Sequence, residues 1–105
     1  MKIVKSAQRS IELLELLAAY PDGLTLSEIA RKMGLANSTA YELVTTMTLS
    51  KYVKADTATK TYRLGSRVLS LAARYLQDAP DFARARQLAD LLMREFHMPV
   101  RIGVL

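Results

Sequence analysis

The stretch 25–53, TLSEIARKMGLANSTAYELVTTMTLSKYV, leaves little choice of local structure. Thr25 followed by Glu28 has capping-box spacing: the hydroxyl accepts a free N–H at the start of a helix and the carboxylate reaches back. A helix from Leu26 to Met33 follows, with Leu26, Ile29, Ala30 and Met33 on its inward side. Gly34 suits the left-handed residue that stops it, and Leu35 suits the apolar contact that accompanies such a stop. After Ala36, Asn37 and Ser38 are good N-terminal caps for the next helix, a role Thr39 can share. That helix reads to about Ser50, with Ala40, Leu43, Val44 and Met47 inward. Its outward side carries Asn37, Ser38, Thr39, Tyr41, Glu42, Thr45 and Thr46. Small Ala30 and Ala40 near the crossing let the two helices pack closely at a steep angle.

The flanks fit around this pair. Residues 4–20 form a helix with two apolar stripes. Val4, Ala7, Ile11, Leu14 and Ala18 line one; Leu13, Leu16, Leu17 and Tyr20 line the other, broader one. One face can meet the core of this domain, and the other needs a second element or a second copy of the chain. Pro21, Asp22 and Gly23 end the helix in a turn, and Leu24-Thr25 reads as a very short strand. Tyr52-Val53 and Tyr62-Arg63-Leu64 alternate as strand residues, with a polar loop, Lys54 to Thr61, between them. Beyond Gly65, Ser66 can cap a helix over 67–77 that is apolar at Val68, Leu69, Leu71, Ala72, Tyr75 and Leu76. A last amphipathic helix runs from about Phe82 to His97, and residues 100–105 read as an apolar strand.

Composition narrows the chemistry. A chain of 105 residues, half of them hydrophobic, is too apolar to be disordered and long enough for one small core. It holds no cysteine, hence no disulfide framework and no thiolate nucleophile or metal site. No apolar run reaches the ~18 residues of a membrane span, and the start has no apolar signal core, so a cytoplasmic protein without membrane contact is expected. Catalysis is unsupported: there is one histidine, His97, no phosphate-binding glycine loop and no carboxylate pair. We expect no enzyme, no metal and no cofactor. The net charge of +5 is unevenly spread. Residues 1–67 hold ten Lys/Arg against six Asp/Glu, a balance of +4; residues 68–105 hold five against four, +1. Positive charge therefore accompanies the helix pair, as a nucleic-acid partner requires and as a solvated basic surface also allows. The thirteen residues Leu35 to Met47 contain no Lys or Arg.

Several motifs carry a family resemblance. They are Val4-Lys5-Ser6 with Arg9, then Gly23-Leu24-Thr25-Leu26-Ser27-Glu28-Ile29-Ala30, Gly34-Leu35, Ser38-Thr39, Tyr52-Val53 and Tyr62-Arg63-Leu64-Gly65. Together they resemble the N-terminal DNA-binding region of IclR-type bacterial transcriptional regulators, over nearly the whole chain. The resemblance implies an α+β, mainly helical fold. A winged helix-turn-helix over 1–66 would be followed by a linker helix over 67–80. Residues 81–105 would be the first helix and strand of an incomplete C-terminal effector-binding domain. Three positions depart from the family pattern: Glu42 stands where Arg is usual, Ser50 where an apolar residue is usual, and Lys51 where Gly is usual.

The expected function is sequence-specific binding of double-stranded DNA in transcriptional regulation. Base reading would fall to Asn37, Ser38, Thr39, Tyr41, Glu42 and Thr45. Glu42 can accept from a cytosine amine or stay solvated, and Tyr41 can bond a phosphate or pack on the wing. Phosphate contacts would come from Arg31, Lys32, Lys51, Lys54, Lys60 and Arg63, with Lys5 and Arg9 as further candidates. A homodimer or higher oligomer, paired through the first and linker helices, would meet a palindromic operator. A small-molecule effector would act only in the absent domain. The competing reading is a winged-helix protein-interaction module without specific DNA binding.

Overall fold

In a computed structural model the protein is described over residues 2–77 and 82–96. The elements run α1 (Lys5–Ala18), α2 (Leu26–Met33), α3 (Asn37–Leu49), β1 (Val53–Asp56), β2 (Thr61–Leu64), α4 (Ser66–Gln77) and α5 (Phe82–Phe96). This is the mainly helical fold with one small sheet that the resemblance implies. The expected strand over 100–105 and His97 lie outside the described residues. The chain divides into two compact units, Met1–Arg67 and Val68–Leu105.

The first unit closes around one core. Leu13, Leu17, Leu24, Ile29, Val44, Met47 and Val53 are buried together, and Leu14, Leu16, Leu26, Met33, Leu43, Tyr52, Tyr62 and Leu64 pack against them. Each fully buried aliphatic chain is worth roughly 1.5–3 kcal/mol relative to leaving it in water. The core therefore draws on α1, α2, α3 and both strands. On α1 the stripe containing Leu13 and Leu17 is the covered one. Ile11 on the other stripe is 52% exposed, and Ile3 and Val4 before the helix are more so.

Local signals set the α2–α3 geometry. The Thr25 hydroxyl accepts from the Glu28 N–H (3.2 Å) and the Glu28 carboxylate accepts from the Thr25 N–H (2.9 Å), completing the capping box. Gly34 ends α2 at φ 68°. The Leu35 N–H bonds the Ala30 carbonyl and the Gly34 N–H bonds that of Arg31, the two bonds of a Schellman stop. Ala36 is then extended and is itself the residue that precedes α3. Asn37, Ser38 and Thr39 are therefore the first helical residues rather than its caps, and no side-chain cap bond forms there. This corrects the sequence expectation. The stop at Gly34-Leu35 fixes the phase of the turn, so the extended residue falls on Ala36, one position before the favoured cap types.

The end of α3 repeats the device without glycine. Lys51 adopts φ 66°, the Tyr52 N–H reaches the Met47 carbonyl and the Lys51 N–H that of Thr48, both at 3.0 Å. The hairpin follows in antiparallel register, Val53↔Leu64, Lys54↔Arg63, Ala55↔Tyr62 and Asp56↔Thr61. Its loop is shorter than the polar run predicts, because Lys54, Ala55 and Asp56 join the strand despite weak strand preference. Leu24 adds a single bridge to Tyr62, with mutual bonds of 2.9 and 2.7 Å, and this accounts for the predicted short strand. Gly65 is buried where the hairpin returns, and its N–H bonds the Tyr52 carbonyl. A Cβ there would collide with the Lys51 carbonyl. In the second unit, Leu76 of α4 and Ala89 of α5 form a small cluster with Leu88 and Leu92. Helix α4 starts one residue earlier than predicted, at Ser66.

Candidate nucleic-acid interface

The exposed side of α3 is built from the residues that the sequence singles out. Ala40, Val44 and Met47 are buried, which turns Asn37, Ser38, Tyr41, Glu42 and Thr46 to the exterior. Thr39 and Thr45 are half-buried at its edges. Because Ala36 precedes the helix, the polar atoms of Asn37, Ser38 and Thr39 are not used in capping. Among the described residues, the side chains of Asn37, Ser38, Thr39, Tyr41, Glu42 and Thr45 make no hydrogen bond or ion pair. Tyr41 is 55% exposed, so it stands clear of the surface.

The threonines at 45, 46 and 48 in α3, unfavourable on propensity, divide in two. Thr46 and Thr48 turn their hydroxyls back to the carbonyls of Glu42 (2.9 Å) and Val44 (2.6 Å). Ser50 does the same to Thr46 at 3.1 Å. Such bonds satisfy a hydroxyl inside its own helix. Thr45 alone of the three keeps its hydroxyl unspent among the described residues, on the outward face.

The cations proposed from sequence fall into two groups. Arg31, Lys51, Lys54 and Lys60 are exposed and without an ion pair among the described residues. Lys32 points its ammonium to the Tyr20 hydroxyl at 3.2 Å, with the charge 4.9 Å from the ring centroid. Arg63 donates to Asp56 at 3.1 Å. The hairpin register explains that pair: Lys54, Asp56, Thr61 and Arg63 share one face of the two strands. The positive edge expected of the wing is thus partly neutralised from within. Asp56 also accepts from the Thr59 and Ala58 N–H groups and so shapes the hairpin loop. The Thr59 N–H, followed by that of Ala58 and the Arg63 guanidinium, holds the Asp56 carboxyl below its ordinary range. Lys60 at the loop's end is left-handed, φ 56°, and its side chain is exposed.

A shallow cleft between α1 and α3 was not foreseen. It is lined by Ser6, Arg9, Ser10, Thr39, Glu42, Leu43 and Thr46. Arg9 had appeared only as a further phosphate candidate. Ser6, Arg9 and Ser10 continue the stripe of Leu13 and Leu17 by one to two turns, and that helical spacing is the signal that could have placed Arg9 beside α3. Leu49, 79% exposed at the end of α3, was also missed. Among the described residues, no three His, Cys, Asp or Glu side chains are placed to hold a metal. No helix among them is long and apolar enough to cross a membrane.

Two helices joined by a tight left-handed turn, with a two-stranded wing bonded back onto the chain before α2, define a winged helix-turn-helix. Residues 6–57 match the IclR helix-turn-helix domain, and the DNA-binding domain of this chain belongs to that family of transcriptional regulators. The chain is 36% identical over 97% of its length to the glycerol operon regulatory protein of Streptomyces coelicolor, covering 40% of that protein. An IclR transcriptional regulator from Alicyclobacillus acidocaldarius superposes with a TM-score of 0.73 at 24% identity, over 87% of this chain and 37% of that one. The Agrobacterium tumefaciens repressor BlcR does so with a TM-score of 0.67 at 27% identity, over 77% of this chain and 32% of that one. The chain thus spans about two fifths of the length of the curated glycerol operon regulatory proteins it matches.

Proposed function

We propose that this domain binds a specific double-stranded DNA site in the cytoplasm, with α3 in the major groove and the hairpin against the backbone. The observation that carries the reading is the outward face of α3, where the side chains of Asn37, Ser38, Thr39, Tyr41, Glu42 and Thr45 are bonded to nothing within the described protein, while Arg31, Lys51, Lys54 and Lys60 on the elements before and after it are exposed and without an ion pair. Asn37, Ser38, Thr39, Tyr41, Glu42 and Thr45 read bases, and Arg31, Lys51, Lys54 and Lys60 hold phosphates. Lys32 and Arg63 contribute less, being engaged by Tyr20 and Asp56. Two copies act on a palindromic operator whose half-sites lie about one helical turn, ~10 bp, apart. Apolar side chains left exposed on α1 and α4, among them Ile11, Leu69, Leu71 and Tyr75, support pairing through those helices. A small-molecule effector acts through a C-terminal domain, in the part of such regulators that this chain does not span.

A salt titration of DNA affinity tests this. Four phosphate-bound cations per copy give a slope of log K against log salt of about −3.6, since each contributes about −0.9. Replacing Lys54 and Lys60 by Ala lowers the slope magnitude by about 2 and weakens all duplexes alike. A flat salt dependence would sink the proposal and favour a protein-interaction module. Sedimentation of the chain alone and on a palindromic duplex tests the pairing; a single copy per duplex at high concentration would refute it.

A further inference from the structure

Resting on that reading of α3, we infer that this helix reads adenine, thymine and cytosine edges and leaves guanine unread, so that its half-sites are A·T-rich and any G·C pair is recognised through the cytosine. The argument is one of donors and acceptors. Guanine shows the major groove two acceptors, N7 and O6, and a bidentate contact to it needs the paired donors of Arg or the ammonium of Lys. Helix α3 has neither anywhere from Asn37 to Leu49. What it presents is different. The Asn37 amide, with one donor and one acceptor group, matches adenine N7 and the adenine amine. The Thr45 side chain keeps a free hydroxyl and offers a methyl to the thymine C5-methyl. The Glu42 carboxylate offers acceptors only, and no ion pair engages it among the described residues. Such a group accepts from a cytosine or adenine amine and is repelled by both guanine acceptors.

Glu42 therefore acts as a specificity determinant by exclusion as well as by contact. Arg9 lines the same cleft from α1. No hydrogen bond or ion pair joins the two. Discrimination against guanine thus rests on a carboxylate left without an ion pair on the exposed face of α3.

The test uses base analogues. Duplexes selected from a random library by the 105-residue chain at low salt are resynthesised with 7-deazaadenine, with 7-deazaguanine, or with deoxyuridine in place of thymidine, at half-site positions. A bidentate contact is worth about 1–3 kcal/mol, so 7-deazaadenine at the position read by Asn37 should weaken binding about tenfold, and the 7-deazaguanine duplex should bind as the parent does. Deoxyuridine, lacking the methyl, should also weaken binding. The variant Glu42→Gln, which restores a donor, should admit guanine at a position where the parent selects cytosine. Loss of affinity with 7-deazaguanine, or selected half-sites that are guanine-rich on the contacted strand, overturns the inference and leaves the DNA-binding reading intact. Absence of salt-dependent binding to any duplex removes that reading and this inference with it.

Discussion

Lys51 permits a stability prediction in which backbone and side chain can be separated. Its φ of 66° lies in the left-handed region, which a residue with a Cβ occupies at a cost of roughly 1–2 kcal/mol. The backbone around it is fully used. Its N–H bonds Thr48 at 3.0 Å and its carbonyl accepts from Arg67 at 3.1 Å. Its side chain is exposed and unpaired among the described residues. Lys51→Gly keeps both backbone bonds, relieves the strain and loses no contact. Part of the gain is offset because Gly has more freedom to lose on folding, roughly 0.5–1 kcal/mol. The expected net effect is a stabilisation of about 1 kcal/mol, equivalent to a rise of about 4 °C or more in Tm for a domain of this size. Lys51→Ala removes the same charge without relieving the strain and should stay within about 0.5 kcal/mol of the parent. Urea unfolding monitored by circular dichroism reads both, with the midpoint moving and the m-value constant. On DNA the two variants should behave alike, each losing about one unit of salt slope. If Gly and Ala prove equally stable, the backbone at residue 51 is not strained and the argument for this helix end fails.

Three further outcomes follow from the fold. Gly65→Ala forces a Cβ against the Lys51 carbonyl, with no flexible side chain to give way, and should cost about 1–3 kcal/mol in a thermal melt; an unchanged Tm would contradict the close approach. Thr25→Ala removes the hydroxyl half of the capping box and should cost about 1 kcal/mol, whereas Thr25→Ser should restore most of it; equal loss in both would show that the cap is not the cause. Acid sensitivity follows from Asp56 and from Glu28, whose carboxyl is held below its ordinary range first by the Thr25 N–H and then by the Thr25 hydroxyl. Both bind fewer protons folded than unfolded. Their stabilisation is therefore complete above the ordinary carboxylate pKa of about 4 and drains away as pH falls through the depressed values. Asp56→Asn should thus destabilise at pH 7 and progressively less in acid; a pH-independent difference measured by urea unfolding would refute the linkage.

Much of this fold is legible in the sequence where one residue type does one local job. Thr25 with Glu28, Gly34 with Leu35 and the buried stripe of α3 are set by contacts within a few residues of each other, so spacing reveals them. The misses lie where tertiary register decides. Asn37 and Ser38 have the chemistry of caps, but the preceding stop puts the extended residue at Ala36. Asp56 reads as a loop residue until the strand register places it beside Arg63, seven residues away. The charge on the wing cannot be counted without that register. Periodicity gives α1 two apolar stripes without saying which is covered, and only the packing of α2, α3 and the sheet shows that it is the one with Leu13 and Leu17. The outward face of α3 follows from its periodicity, yet which hydroxyls are spent, those of Thr46 and Thr48 against that of Thr45, depends on side-chain rotamers that no periodicity records.

The junction at Gly65 has a mechanical consequence. The Gly65 N–H is tied to Tyr52 and the Arg67 N–H to Lys51, so the outgoing chain is stitched to the two residues that close α3. A pull or twist on the backbone after Arg67 arrives first at the C-terminal end of α3, while the tip of the hairpin, six or more residues back along the chain, bears little of it. The outgoing chain is thus a lever whose fulcrum is the foot of α3, and glycine is the residue thin enough to let the two backbones touch there.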